Sequence, residues 1–80
     1  MKLHVKLFGA EARLAGQKEL EVDFSGLTCA QLRAHLAQSL PQLAGSLPLC
    51  RFAVNHDYVT LEHRLRDGDE VALIGMVSGG

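Results

Sequence analysis

The sequence has little of what most dedicated chemistries require. It has two cysteines, Cys29 and Cys50, no tryptophan, and only 5% aromatic residues. Two cysteines at this spacing match no zinc or iron–sulfur ligand set, and an iron–sulfur ferredoxin, which needs four, is excluded. Neither charge sign dominates: eight Lys and Arg stand against nine Asp and Glu, a formal net charge of −1. No basic stripe interleaves with aromatics, so nucleic-acid binding by counterion release has no support. No apolar run approaches the roughly 18 residues of a membrane span. Met1-Lys2-Leu3-His4-Val5-Lys6 is charged at alternate positions, unlike a signal peptide. A cytoplasmic location follows as the default, with both cysteines as small, buried thiols.

Familiar active-site patterns are missing too. No serine sits in a G-x-S-x-G elbow, no Gly-rich phosphate loop occurs, and there is no repeat or low-complexity segment. His4, His35, His56 and His63 show no metal-ligand spacing and are read as exposed or half-exposed side chains. Asp67, Asp69 and Glu70 read as the solvated tip of a tight turn at Asp67-Gly68. No metal and no bound cofactor are expected.

What is present is a small globular domain. Eighty residues, 48% of them apolar, make one core of nearly minimal size. Leu3, Val5 and Leu7 alternate with His4, Lys6 and Phe8, the period of a strand with one buried face. Ala10–Gln17 reads as a turn or brief helical turn. Leu20, Val22 and Phe24 alternate with acidic residues and predict a second strand, antiparallel to the first. Thr28 and Gln31 form a capping box, with Leu27 and Leu32 placed for a hydrophobic staple. Leu32, Leu36 and Leu40 then follow at helical spacing, extended by Cys29 and Leu43. The helix runs from about 29 to 39 and ends before Pro41. Short strands are expected at 51–54 and 58–61, and a last one at 70–74.

A hairpin, a helix, two short strands and a final strand fit best as a mixed sheet gripping one helix. The class is α+β, in the β-grasp (ubiquitin-like) arrangement, with residues 1–74 as the domain and 75–80 as a flexible tail. If the last strand lies parallel beside the first, Leu3, Val5, Leu7, Val71 and Leu73 fall under the helix. Phe8, Ala72, Ile74 and Met76 fall on the open face, where an apolar patch serves a partner better than the monomer.

The tail, Gly75-Met76-Val77-Ser78-Gly79-Gly80, carries the one unusual reactive group, the α-carboxylate of Gly80. Glycine lacks a Cβ and enters passages that reject other residues. Six extended residues reach roughly 20 Å, enough to enter a partner's active site. A carboxylate becomes useful once an ATP-dependent enzyme converts it to an acyl-adenylate. Sulfur attack then expels AMP and leaves a tethered thiocarboxylate.

The segments Ala53-Val54-Asn55, Val59, His63, Leu65, Asp67-Gly68-Asp69-Glu70-Val71-Ala72, Val77 and Gly79-Gly80 carry a further pattern. With Phe8, Arg13-Leu14 and Gly16, they make most of the chain similar to the small subunits of molybdopterin synthases, a family of β-grasp sulfur carriers. The resemblance implies adenylation of Gly80 by a ubiquitin-activating-like adenylyltransferase that consumes ATP, followed by thiocarboxylation. It implies insertion of Val77, Ser78 and Gly79 into a large synthase subunit, in a heterotetramer of two small and two large chains. Sulfur would pass to precursor Z (cyclic pyranopterin monophosphate) to build the molybdopterin dithiolene. Phe8, Ile74 and Met76 would form the docking surface. Gly75-Met76 departs from the family pattern, where bulkier or proline-containing sequence is expected. Related readings are a sulfur carrier for thiamine thiazole synthesis, a ubiquitin-like protein modifier, and a plain β-grasp binding module with an idle tail.

Overall fold

The computed structural model describes residues 1–75, so the expectations for Met76, Val77, Ser78, Gly79 and Gly80 lie outside the described residues. In chain order the elements are β1 (Lys2–Leu7), α1 (Gly9–Ala15), β2 (Glu19–Asp23), α2 (Cys29–Ser39), β3 (Cys50–Val54), β4 (Asp57–Val59) and β5 (Glu70–Gly75). Short 3₁₀ turns at Pro41–Leu43 and Leu47–Leu49 join α2 to β3. The five strands form one mixed sheet in the order β2-β1-β5-β3-β4. β1 runs antiparallel to β2 and parallel to β5, and β5 runs antiparallel to β3. This is the expected α+β, β-grasp sheet, with the first and last strands at its centre.

The parity expected from the sequence holds. Leu3, Val5, Leu7, Val71 and Leu73 are each at most 2% exposed and pack with Cys29, Leu32 and Leu36 of α2. Period-two strands and a period-3.6 helix each present one apolar face, and burying the two together removes both from water. Cys29 and Cys50 are free and buried, as anticipated.

Local chemistry explains where α2 begins and ends. The Gln31 N–H donates to Thr28 Oγ1 at 3.3 Å, and Gln31 Oε1 accepts from the Thr28 N–H at 3.1 Å, completing the capping box. The free N–H groups of Cys29 and Ala30 donate to the carbonyls of His63 and Leu61, so the helix start is also tied to the loop before β5. Pro41 closes the helix because it has no N–H to continue the ladder. The staple does not form part of the core: Leu32 is fully buried, but Leu27 remains 54% exposed.

Two elements differ in extent from the sequence reading. The segment after β1 is a seven-residue helix. It is closed by Gly16 at φ 76°, with Gly16 N–H donating to Arg13 O and Gln17 N–H to Ala12 O, a Schellman closure that glycine permits at no Cβ cost. β4 covers only Asp57–Val59, because Asn55 and His56 both take positive φ and form a two-residue hairpin turn that puts Asp57 already in the strand. The acidic cluster is turn chemistry, as read from the sequence. Asp67 Oδ1 accepts from Lys2 N–H at 2.6 Å and Asp69 Oδ2 from Arg66 N–H at 2.8 Å.

Candidate functional site

Sheet register decides which residues share the face turned away from α2. Lys6 pairs with Ala72, Ala72 with Ala53, Ile74 with Arg51, and Ala53 with Tyr58. Cross-strand partners lie on the same face, so these residues and Phe8 form one surface across the sheet. Phe8 is 52% and Tyr58 57% exposed, while Ala72 and Ile74 are half-buried. The Arg51 guanidinium lies over the Tyr58 ring, 4.3 Å from its centroid, a cation–π contact that holds both side chains against the sheet.

The face is divided by charge. Near the start of β5, Lys6 Nζ stands 3.5 Å from Glu70 Oε2 and 3.9 Å from Glu19 Oε1. Such partly exposed pairs add about 1 kcal/mol at most but keep that end polar. Toward the end of β5 the surface carries Phe8, Ile74 and Ala72 beside the stacked Arg51–Tyr58 pair, with Ala53 buried beneath. Beside Phe8 a depression of about 690 Å³ is lined by Leu7, Gly9 and Ala12, with Lys6, Lys18 and Glu19 at its edge. This end is also the one from which residues 76–80 depart.

Of the expected docking residues, the structure brings Phe8 and Ile74 onto this one face; Met76 lies beyond the described chain. The reading from sequence did not single out Arg51 and Tyr58. Their signal was available: Arg51 alternates with Phe52 and Tyr58 with Val59, so both are outward residues of short strands.

A third residue, Glu11, was missed as well. Glu11, on α1, is only 7% exposed, and its carboxylate lies at the opposite side of Gly75 from the open face. Glu11, Ala12 and Ala15 occupy one arc of the helix, and that arc faces inward. Reading 10–17 as little more than a turn concealed this, because the inward arc exists only if the segment is helical.

The two thiols are chemically quiet. Burial pushes the Cys29 thiol up to about 11, and the negative charge of Asp69 adds to it. Burial likewise pushes Cys50 to about 11, with the charge and hydrogen bond of Glu11 contributing. Both are protonated at neutral pH, and alkylation by iodoacetamide at pH 8 should be far slower than after unfolding. The sign of the linkage follows. The folded state holds these protons more tightly, so this contribution to stability is intact below pH 9 and is lost as pH rises through 11. Denaturant midpoints measured from pH 8 to 11 should fall, and the fall should be reduced in a Cys29→Ala, Cys50→Ala double variant.

No helix among the described residues is long and apolar enough to cross a membrane. The four histidines are dispersed: His4 and His56 are exposed, and His35 and His63 are half-buried.

Against known proteins, the ThiS family model matches residues 5–80. The chain belongs to the ThiS family. A relative from Chlamydomonas reinhardtii, named molybdopterin synthase sulfur carrier subunit, is 34% identical over the full length of both chains. One of the same name from Escherichia coli is 39% identical, covering 92% of this chain and 95% of its own. Among solved structures, SAMP1 from Haloferax volcanii superposes with a TM-score of 0.83 at 29% identity over the whole of both chains. A complex of subunits 1 and 2 of the molybdopterin-converting factor from Helicobacter pylori contains a chain that superposes with a TM-score of 0.72 at 28% identity, again over both full lengths. The family and the ubiquitin-like β-grasp fold expected from the sequence are thereby shown.

Proposed function

We propose that this chain is the sulfur-carrier subunit of a molybdopterin synthase, and that its working group is the α-carboxylate of Gly80. The observation that carries this reading is the convergence of an open face bearing Phe8, Ile74 and Tyr58 with the end of β5, in a chain of the ThiS family whose curated relatives are named sulfur carrier subunits. A partner that covers Phe8, Ile74 and Tyr58 would receive the tail at the edge of the contact. Burying these side chains at about 25 cal/mol per Å² supplies the affinity, and the tail needs only to deliver.

The chemistry proceeds in balanced steps. A ubiquitin-activating-like adenylyltransferase joins the Gly80 carboxylate to AMP from ATP and releases pyrophosphate. Hydrosulfide attacks the acyl carbon, AMP leaves, and a thiocarboxylate remains. The large synthase subunit then takes up residues 77–80 and the thiocarboxylate sulfur bonds to a carbon of cyclic pyranopterin monophosphate; water hydrolyses the resulting thioester, returning Gly80 as a carboxylate, and two such transfers supply the two sulfurs of the dithiolene. The carrier holds no cofactor, and ATP is consumed by the activating enzyme. The reduced state of Cys29 and Cys50 fits a cytoplasmic setting.

Incubation with ATP, a cognate activating enzyme and a sulfur source should raise the intact mass by one sulfur-for-oxygen exchange. The charged chain with the large subunit should convert cyclic pyranopterin monophosphate to molybdopterin. No mass change with any cognate activating enzyme would sink the reading. The fold likeness to SAMP1, a small archaeal modifier protein, keeps lysine conjugation in view. That reading predicts higher-mass adducts on a denaturing gel of cell extract, and free protein alone would argue against it.

A further inference from the structure

Gly75 occupies an unusual position, at the last place of β5 and directly opposite Cys50 of β3. It follows Val71 and Leu73 in the strand's alternation, so a side chain here would point to the helix side of the sheet. That space is already taken. A Cβ built at residue 75 would lie 2.6 Å from Glu11 Oε1 and 3.3 Å from its carboxyl carbon, closer than carbon and oxygen atoms pack. The Glu11 side chain is buried and makes no ion pair among the described residues. It is held beside the Cys50 thiol, which also reaches Ser46 O at 3.4 Å. One group from α1 thus fills the place of a side chain at the root of the tail.

We propose that Glu11 is a positioning residue for the tail: its carboxylate backs Gly75 and, with it, forms a matched pair that fixes the end of β5, the root from which the tail must reach a partner. The pairing gives a physical reason for glycine at 75, where the sulfur-carrier pattern leads one to expect a bulkier residue or proline. A larger residue at 75 would drive the carboxylate from its seat. Loss of the carboxylate would leave the strand end without a backstop. In either case the end of β5 would shift, and a small angular error at a root is magnified at the far end of whatever it carries. The domain itself would be little affected, since Gly75 and Glu11 lie at the margin of the core rather than within it.

The inference rests on the sulfur-carrier reading for its functional consequence but not for its structural one. Four full-length variants test it: Glu11→Ala, Gly75→Ala, the double variant, and Glu11→Gln. Either alanine substitution alone should lower sulfur transfer at saturating large subunit by about tenfold, a magnitude typical of coupled or misplaced groups. Affinity for the large subunit and the denaturant midpoint should change little. In the double variant the new methyl group fills part of the vacated space, and transfer should recover to within about twofold of the original. Glu11→Gln keeps the volume and should behave as the original. Losses that multiply in the double variant, or that track the fall in denaturant midpoint, would overturn the proposal. Backbone amide shifts of residues 75–80 provide a reading independent of activity. They should move in Glu11→Ala and return toward the original in the double variant, and unchanged shifts in both would also overturn it. If the unaltered chain gains no sulfur at all, the functional reading fails by itself, and the amide shifts still decide the pairing.

Discussion

Removal of Gly79 and Gly80 should abolish the sulfur gain in the charging assay and, with it, all molybdopterin formation, while the domain unfolds at an unchanged denaturant midpoint. The expected effect is total because the deletion removes the reacting carbon itself. The new terminal carboxylate would belong to Ser78, two residues or roughly 7 Å short of the original reach. Its side chain would also meet a passage shaped for glycine. Fold stability should be indifferent, since every residue in the apolar core lies between Leu3 and Leu73. Docking to the large subunit should persist, because the proposed contact surface lies on the sheet. A truncated chain that still gains sulfur would show that the working group is elsewhere. Loss of docking together with loss of charging would show that the tail contributes binding as well as chemistry.

Phe8→Asp should weaken binding to the large subunit by about 100-fold, as expected for an aromatic anchor replaced by a charge at the centre of a contact. The substitution separates partner binding from folding because the ring is already 52% exposed. It adds little cost in the isolated domain, yet it places an unpaired carboxylate in a desolvated interface once the partner covers it. Ile74→Asp should act in the same direction but is a less clean probe, since Ile74 is half-buried between Arg51 and its neighbours on the sheet. Titration calorimetry against the large subunit checks affinity, and a denaturation curve checks the fold. Unchanged affinity in Phe8→Asp would move the contact to another surface. The charged end of the face makes a useful control. Lys6→Ala breaks two long, partly exposed ion pairs and should alter binding far less.

Several features of this molecule were legible from local sequence alone. The Thr28–Gln31 box located the start of α2 because capping is satisfied within four residues. Leu3, Val5 and Leu7 declared their buried face because strand period fixes parity without reference to anything distant. Asp67-Gly68 marked its turn because few residues accept positive φ there, and Gly68 takes φ 86°. The family resemblance drew on the same local strings, and the match over residues 5–80 agrees with it.

Other features exist only across the sheet. Arg51 and Tyr58 are separated in sequence and meet because β3 and β4 pair in one register and not the next. Phe8 and Ile74 become one surface because β1 and β5 lie side by side, sixty-odd residues apart in the chain. Glu11 and Gly75 are the clearest case. Nothing near Glu11 in sequence marks it as inward, and nothing near Gly75 says what fills the space beside it. The sequence by itself determined the strands, α2 and their buried faces, since these depend on short-range sterics and periodicity. Only the tertiary structure decided which surface adjoins the end of β5 and which side chain lies against Gly75, since strand pairing and the seat of α1 are settled by the packing of the whole core.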